Sequence, residues 1–141
     1  MPLHPAAARV DRYLDLCEER RLDEAGAILT EDARLVFPGG VEYRDLAAMV
    51  ADARTRYRWA RKPVRDYVVA PGEAPGRSIV ICRGTLTGEW LDGSPFSGVR
   101  FVDIFVLRGD RIAEQHVYND LAVVAAMDTA NHHEDTLETA P

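Results

Sequence analysis

The chain has 141 residues and a formal net charge of −6, and 47% of its residues are hydrophobic. This length favours one domain with a core that buries roughly 68% of the surface of the unfolded chain. No apolar run approaches the about 18 residues of a membrane span, and the acidic balance argues against a nucleic-acid-binding protein. Two isolated cysteines, Cys17 and Cys82, have no metal-ligand spacing. Together with the absence of a signal-peptide pattern, they lead us to expect a cytoplasmic protein.

The first half of the sequence predicts three helices and one short strand. The first helix is amphipathic, because Val10, Tyr13 and Leu14 fall on one stripe with charged residues opposite. Pro38 ends the strand, since proline donates no hydrogen bond to a sheet. The predicted elements are helices over 6–21, 22–29 and 45–58, the last with Asp45 as its N-cap, and a strand over 34–37.

The second half changes to an alternation of period two and predicts four long antiparallel strands. They lie at 64–70, at 78–90 and, on either side of a Gly109-Asp110 turn, within 98–120. We therefore predict an α+β domain, with three helices packed in the concave face of a curved, mainly antiparallel sheet. Residues 1–127 form this domain, and residues 128–141, which lack apolar periodicity, are predicted to be a flexible acidic tail.

The turn at Gly109-Asp110 sets the predicted pairing of the last two strands. If Arg108 pairs with Arg111, the residue numbers of all opposed pairs have the same sum, and Asp103 faces His116. Counting outward from the turn makes this a non-hydrogen-bonded pair, in which the Cα atoms are about 4.5 Å apart. Opposed side chains point to the same face, so we predict a carboxylate beside an imidazole.

On this register, the pocket face carries two sets of side chains: Phe101, Asp103 and Phe105 on one strand, and Glu114, His116 and Tyr118 on the next. A carboxylate and an imidazole stabilise each other's charged forms, whereas desolvation favours the neutral forms. In a dry pocket, such a pair can share a proton near neutral pH, which suits general acid–base catalysis. The alternative is structural, with two buried polar groups that satisfy each other's hydrogen bonds.

Three segments carry a resemblance to a known superfamily: RYLDLCEERRLDEAGAILTEDARLVFPGG (12–40), FVDIFVLRGDRI (101–112) and EQHVYNDLA (114–122). They resemble the nuclear transport factor 2-like, or cystatin-like α+β barrel, superfamily, and most of all its SnoaL-like members. This superfamily includes ketosteroid isomerase, scytalone dehydratase, limonene epoxide hydrolase and the SnoaL-like polyketide cyclases. The resemblance covers roughly residues 10–124 and implies a cone-shaped barrel with a small-molecule pocket.

Ketosteroid isomerase allows a comparison of individual residues. Its oxyanion hole combines a tyrosine of the first helix with a protonated aspartate of the penultimate strand. The resemblance implies that Tyr13 and Asp103 hold these places. The catalytic aspartate of that enzyme precedes a proline, where this sequence has Phe37 before Pro38. In SnoaL-like cyclases, an acidic residue and nearby histidines move protons during ring closure, a role that Asp103 and His116 would suit.

We therefore predict a cofactor-independent enzyme of lyase or isomerase type that transfers protons on a hydrophobic cyclic carbonyl compound, in a cyclisation, isomerisation or dehydration. The predicted catalytic residues are His116, Asp103 and Tyr13. The predicted substrate-binding residues are Tyr118, Phe37, Phe101, Phe105, Tyr57 and Trp59. We expect no metal or cofactor, no nucleic-acid or membrane partner, and a homodimer whose second subunit covers the outer face of the sheet. An epoxide hydrolase and a non-catalytic binding protein are the alternatives.

Overall fold

A computed structural model describes residues 2–138, and the surroundings of the side chains as far as residue 130. The described residues form helices and strands with short connections. In chain order these are α1 (Pro5–Glu18), α2 (Leu22–Gly26), β1 (Leu29–Phe37), β2 (Val41–Tyr43), α3 (Leu46–Ala53), β3 (Tyr57–Pro71), β4 (Arg77–Trp90), β5 (Pro95–Arg108), β6 (Arg111–Asn119) and α4 (Leu121–Glu138).

The strands form one six-stranded sheet in the order β2-β1-β6-β5-β4-β3. The described pairs are antiparallel, except that β1 runs parallel to β6. Buried residues of α1 and α3 form one hydrophobic cluster with residues of β4, β5 and β6. The predicted α+β class, with N-terminal helices on a mainly antiparallel sheet, is confirmed. None of the described helices is both long and apolar enough to cross a membrane.

One helix cap was predicted from the sequence, whereas the last helix was not. Asp45 caps α3 as predicted, because its Oδ1 accepts a hydrogen bond from the backbone N–H of Ala48 at 2.8 Å. The helix α4 was not predicted. It begins after Asn119, whose Oδ1 accepts from the N–H of Leu121 at 3.1 Å. Residues 128–138, assigned from sequence to a tail, continue this helix, and residues 139–141 of that tail lie outside the described residues.

The predicted hairpin forms, but its register changes close to the turn. Arg108 pairs with Arg111, as predicted, and Gly109 adopts a left-handed φ of 60°. The pairing then shifts by one residue, so that Ala113 of β6 is an extra residue in a β-bulge. Because side chains alternate along a strand, a shift of one residue turns every later side chain to the opposite face.

The prediction that Asp103 faces His116 is therefore wrong. Asp103 pairs with Val117, and His116 pairs with Ile104. Asp103 is fully buried on the face that packs against the helices. His116 lies on the outer face, where its Nε2 is 3.1 Å from the Oε1 of Glu114. The predicted inner set of Glu114, His116 and Tyr118 is replaced in β6 by Gln115, Val117 and Asn119.

A second bulge in β3 positions a residue of the candidate site. The pairing of β3 with β4 shifts by one residue between Arg61 and Val64, so Lys62 and Pro63 lie in the bulge. Proline fits there because a bulged residue is not required to donate to the ladder. The Lys62 side chain turns toward the core, and only 15% of it remains exposed. The predicted strand over 64–70 is thus part of a longer strand that continues through Pro63.

The outer face of the sheet carries several exposed apolar side chains. Val64 and Val68 of β3, Val102 of β5 and Tyr118 of β6 all belong to this face. Such a surface would be covered in the expected homodimer, which stays a prediction.

We expect Val102→Glu to reduce a dimeric chain to a monomer, because a carboxylate within an apolar interface would lose its hydration. Sedimentation velocity at micromolar concentration measures the change in mass. The control is Val123→Glu, which alters an exposed valine of α4 rather than of the sheet and should leave the mass unchanged. A wild-type chain that sediments as a monomer would contradict the prediction.

Candidate functional site

Two adjoining cavities lie between the helices and the inner face of the sheet. The inner cavity has a volume of about 100 Å³ and is lined by polar groups of α1, β3 and β6. The outer cavity has a volume of about 210 Å³, is lined mainly by apolar side chains and reaches α4. They share the lining residues Phe37, Met49, Tyr57, Asn119 and Leu121. Since an apolar cavity of about 150 Å³ can hold benzene, the two cavities together accommodate a small cyclic molecule.

A buried ion pair stands beside the inner cavity. The Nζ of Lys62 donates a hydrogen bond to the Oδ2 of Asp103 at 2.5 Å, and Lys62 itself lines the cavity. The ammonium also lies 4.7 Å from the centre of the Phe101 ring, within the range of a cation–π contact. Asp103, which does not line the cavity, thus positions Lys62, which does.

For both Asp103 and Lys62, burial and the ion pair shift the pKa in opposite directions. Burial raises the pKa of the Asp103 carboxyl, and the Lys62 ammonium opposes that rise only in part. Burial also favours the neutral amine of Lys62, but the Asp103 carboxylate outweighs it and leaves the pKa of Lys62 above its usual value. Lys62 therefore presents a cation to the cavity at neutral pH. The Oδ1 of Asp103 is buried and has no hydrogen-bond partner among the described residues.

A second polar pair lines the same cavity. The hydroxyl of Tyr13 donates to the Oε1 of Gln115 at 2.7 Å, and both side chains are buried. Burial raises the pKa of Tyr13 well above its usual value, so the phenol stays protonated. Burial also raises the pKa of the Cys17 thiol to about 11, which leaves this cavity residue a weak nucleophile at neutral pH.

An ionic cluster fixes α1 against β3 next to the cavity. The Arg65 guanidinium contacts Asp11 at 2.9 Å, Asp15 at 2.8 Å and Glu18 at 2.9 Å. Glu18 also accepts a hydrogen bond from the backbone N–H of Lys62 at 2.6 Å. These contacts tie the helix that carries Tyr13 to the bulge that carries Lys62.

The start of α4 forms part of the wall of the outer cavity. Leu121, Ala122 and Ala125 line this cavity. Farther along the helix, Asp128 accepts a hydrogen bond from the Nε1 of Trp90 at 2.9 Å. Asp128, the first residue of the segment that was expected to be a tail, is thus bonded to Trp90, which lines this cavity.

The structure brings together some of the residues that the sequence singled out. Tyr13 lines the inner cavity, and Phe37 and Tyr57 line both cavities. Asp103 lies behind Lys62 rather than in either cavity wall, and Phe105 is fully buried in the core. Phe101 is also buried, below the Lys62 ammonium.

Three other predicted site residues lie apart from this group. His116 and Tyr118 are on the outer face of the sheet, and 60% of Tyr118 is exposed. Trp59 is 37% exposed on β3, where its Nε1 donates to Glu89 at 2.5 Å. None of the three lines the inner or the outer cavity.

Lys62 and Gln115 also line the inner cavity and were not predicted from the sequence. Lys62 is the single lysine of a chain that has 17 basic residues, and this rarity was a usable signal. It was overlooked because it lies between the predicted helix over 45–58 and the predicted strand over 64–70. Gln115 was absent from the predicted pocket face because no pattern in the sequence reports the bulge at Ala113.

Comparisons with known proteins agree with this architecture. Residues 10–115 match the SnoaL-like domain family. A nuclear transport factor 2-like protein of unknown function from Burkholderia pseudomallei has a TM-score of 0.67 and 18% identity, over 86% of this chain and 95% of that one. TerC, co-crystallised with polyporic acid, has a TM-score of 0.68 and 17% identity, over 87% of this chain and 97% of that one.

A further similar structure is a protein from Xanthomonas campestris pv. campestris whose assignment as a polyketide cyclase is provisional. It has a TM-score of 0.63 and 18% identity, over 86% of this chain and 95% of that one. No curated protein matches the sequence. The structural likenesses are too distant in sequence to show more than the fold, whereas the family match spans most of the domain. On that match, the chain belongs to the SnoaL-like domain family.

Proposed function

We propose that this protein is a cofactor-independent enzyme that performs acid–base proton transfer on a hydrophobic cyclic carbonyl compound, in a cyclisation, isomerisation or dehydration. The observation that carries the proposal is the Lys62–Asp103 ion pair beside the inner cavity, which adjoins the mainly apolar outer cavity. Buried charged pairs are costly to maintain, and such pairs in a cleft are typical of functional sites. The similarity to a provisionally assigned polyketide cyclase supports the same class of reaction.

In this proposal, Lys62 takes the role that the sequence analysis gave to His116. Its ammonium donates a hydrogen bond to the carbonyl oxygen and stabilises the negative charge that develops there. In a ring closure, an enol carbon of the substrate attacks the carbonyl carbon, and the former carbonyl oxygen takes a proton from Lys62. The proton released from the enol oxygen then restores the ammonium. Asp103 is a positioning residue, because it acts on the substrate through Lys62.

Hydrogen exchange on a model ketone tests this role without knowledge of the natural substrate. We expect the wild-type protein to accelerate deuterium incorporation next to the carbonyl of 2-tetralone in D₂O, followed by NMR. The double variant Lys62→Met/Asp103→Leu removes both charges together and should lower the catalysed rate about 10²-fold, as loss of one oxyanion donor does. The control is Arg61→Met, which removes the neighbouring exposed cation.

The two assignments of the proton donor give opposite results in this assay. If His116 carries the reaction, His116→Ala loses the exchange activity and the Lys62 double variant keeps it. That outcome would refute the role of Lys62. If the wild-type protein gives no acceleration with 2-tetralone or with related cyclic ketones, the enzymatic proposal fails.

A non-catalytic binding protein is the second candidate. The observation that favours it is Phe37, an apolar residue of both cavities at the place where ketosteroid isomerase carries its catalytic aspartate. A binding protein would hold cyclic ligands in the cavities with no exchange, and Asp103→Asn would leave their affinity nearly unchanged.

A further inference from the structure

Arg20 has a backbone conformation that is unfavourable for its side chain. Its φ of 59° makes it the one non-glycine residue with a positive φ in the described part of the chain. Its N–H donates to the carbonyl of Cys17 at 3.2 Å, and the next N–H, of Arg21, donates to the carbonyl of Leu16 at 2.9 Å. These two bonds form a Schellman motif at the end of α1, in which the left-handed position is usually glycine. The left-handed backbone conformation by itself is less favourable for arginine than for glycine.

Arg20 belongs to the candidate site. It is part-buried and is one of the residues that line the inner cavity together with Lys62. One nitrogen, Nη1, donates to the carbonyl of Cys17 at 3.1 Å. Among the residues with described side chains, no carboxylate forms an ion pair with Arg20. Since a guanidinium has five N–H donors, most of its donors remain available to a ligand.

The carboxylate that lines the same cavity is already engaged. Glu18 accepts hydrogen bonds from the backbone N–H of Lys62 at 2.6 Å and from Arg65 at 2.9 Å. Both bonds are made by its Oε1, and the ion pair that the described side chains give Glu18 is with Arg65 rather than with Arg20. The inner cavity is thus lined by two cationic residues: Lys62, which is paired with Asp103, and Arg20, which has no carboxylate partner among the side chains that the structure describes.

We propose that Arg20 binds a carboxylate of the substrate while Lys62 holds its carbonyl or enol oxygen. This inference rests on the proposed function and narrows the substrate to a cyclic carbonyl compound that carries a carboxylate. A planar guanidinium binds a carboxylate through two parallel hydrogen bonds, which also fix the orientation of the ring. A strained backbone position that carries such a residue is typical of a binding site.

The competing role for Arg20 is that of a helix cap, because a cation near the end of a helix bonds the last carbonyls and opposes the helix dipole. The two roles predict opposite effects of Arg20→Gly on stability. If Arg20 is a cap, the variant melts at a lower temperature. If Arg20 serves in binding and not as a cap, glycine relieves the strain of the positive φ and raises the Tm by about 3 °C.

Ligand binding gives the direct test. The probes are 1-naphthol, a stable analogue of a cyclic enol, and 4-hydroxy-2-naphthoate, the same ring system with a carboxylate. We expect fluorescence titration to show that the wild-type protein prefers the carboxylate by about tenfold, as expected for one partly exposed charge-assisted contact. Arg20→Gly and Arg20→Gln should both lose this preference. Arg20→Gln keeps the positive φ and should show no rise in Tm, which separates charge from strain.

Arg21→Gly is the matched control. Arg21 is the neighbouring arginine, it is paired with Glu19 and Glu24, and it lines neither described cavity of the site. Its variant should keep the preference for the carboxylate. An equal Kd for the two probes in the wild-type protein, or an unchanged preference in Arg20→Gly, overturns this inference and leaves the proposed function standing. Binding of neither probe overturns both.

Discussion

Replacement of Lys62 by methionine is expected to lower the free energy of unfolding by about 3–5 kcal/mol. The reason lies in the residue left behind. Asp103 is fully buried, its Oδ1 has no partner among the described residues, and the Lys62 ammonium is the cation bonded to its Oδ2. Without that cation, the variant must bury an uncompensated carboxylate or protonate it. Urea unfolding at pH 7 measures the loss.

The same variant should show a defined dependence on pH. Burial raises the pKa of Asp103 in the folded state, and the loss of Lys62 removes the contact that opposes this rise. The folded state then binds a proton at a pH where the unfolded state does not, so lower pH favours folding. The deficit relative to the wild type is therefore largest above the folded-state pKa of Asp103, and it shrinks as the pH falls.

The double variant tests whether the stability lost in Lys62→Met comes from the unpaired Asp103 carboxylate. Lys62→Met/Asp103→Leu should recover most of the lost stability, because an apolar pair replaces a buried ion pair at little cost. Arg61→Met, which removes an exposed cation beside Lys62, should change stability by less than about 0.5 kcal/mol. If the double variant is as unstable as Lys62→Met, the loss comes from packing around Lys62 rather than from the orphaned carboxylate.

Much of the fold could be predicted because its signals are local. The apolar stripe that contains Val10, Tyr13 and Leu14, the cap at Asp45 and the turn at Gly109 each depend on a few neighbouring residues. The helix α4 gave no such signal. Its part beyond residue 127 has no apolar periodicity, and Asp128 is held by Trp90, which lies far away in the sequence.

The candidate site was harder to predict because two bulges decide which residues share it. The identities of Asp103 and Tyr13 as buried polar residues followed from the resemblance and the helical stripe, and both lie next to the inner cavity. The extra residue at Ala113 put Val117 opposite Asp103 in place of His116, and it brought Gln115 to the inner face. A bulge depends on contacts between strands that composition and periodicity do not report. The proposed proton transfer therefore uses the carboxylate and ammonium of Asp103 and Lys62 in place of the predicted carboxylate and imidazole.

The bulge in β3 leads to the second large effect that we expect. Gly84→Ala should lower the free energy of unfolding by about 3 kcal/mol. A Cβ atom at position 84 would lie 1.8 Å from the carbonyl oxygen of Val64, a backbone atom that cannot rotate away. Val64 directly follows the Lys62-Pro63 bulge, so β3 must move where it positions Lys62. Thermal unfolding and urea titration measure the loss.

Gly26→Ala is the control, because a Cβ there meets nothing within 4 Å and its φ is not in the left-handed region. This variant should gain about 0.4–1 kcal/mol, since alanine restricts the unfolded chain. The hydrogen-exchange assay on 2-tetralone then tests whether the backbone of β3 positions Lys62 for proton transfer. If β3 sets the position of Lys62, the folded Gly84→Ala protein exchanges more slowly than the wild type, whereas Gly26→Ala exchanges at the wild-type rate. A folded Gly84→Ala protein with full exchange activity would show that the close approach of β3 and β4 supports stability alone, and that Lys62 reaches the cavity without it.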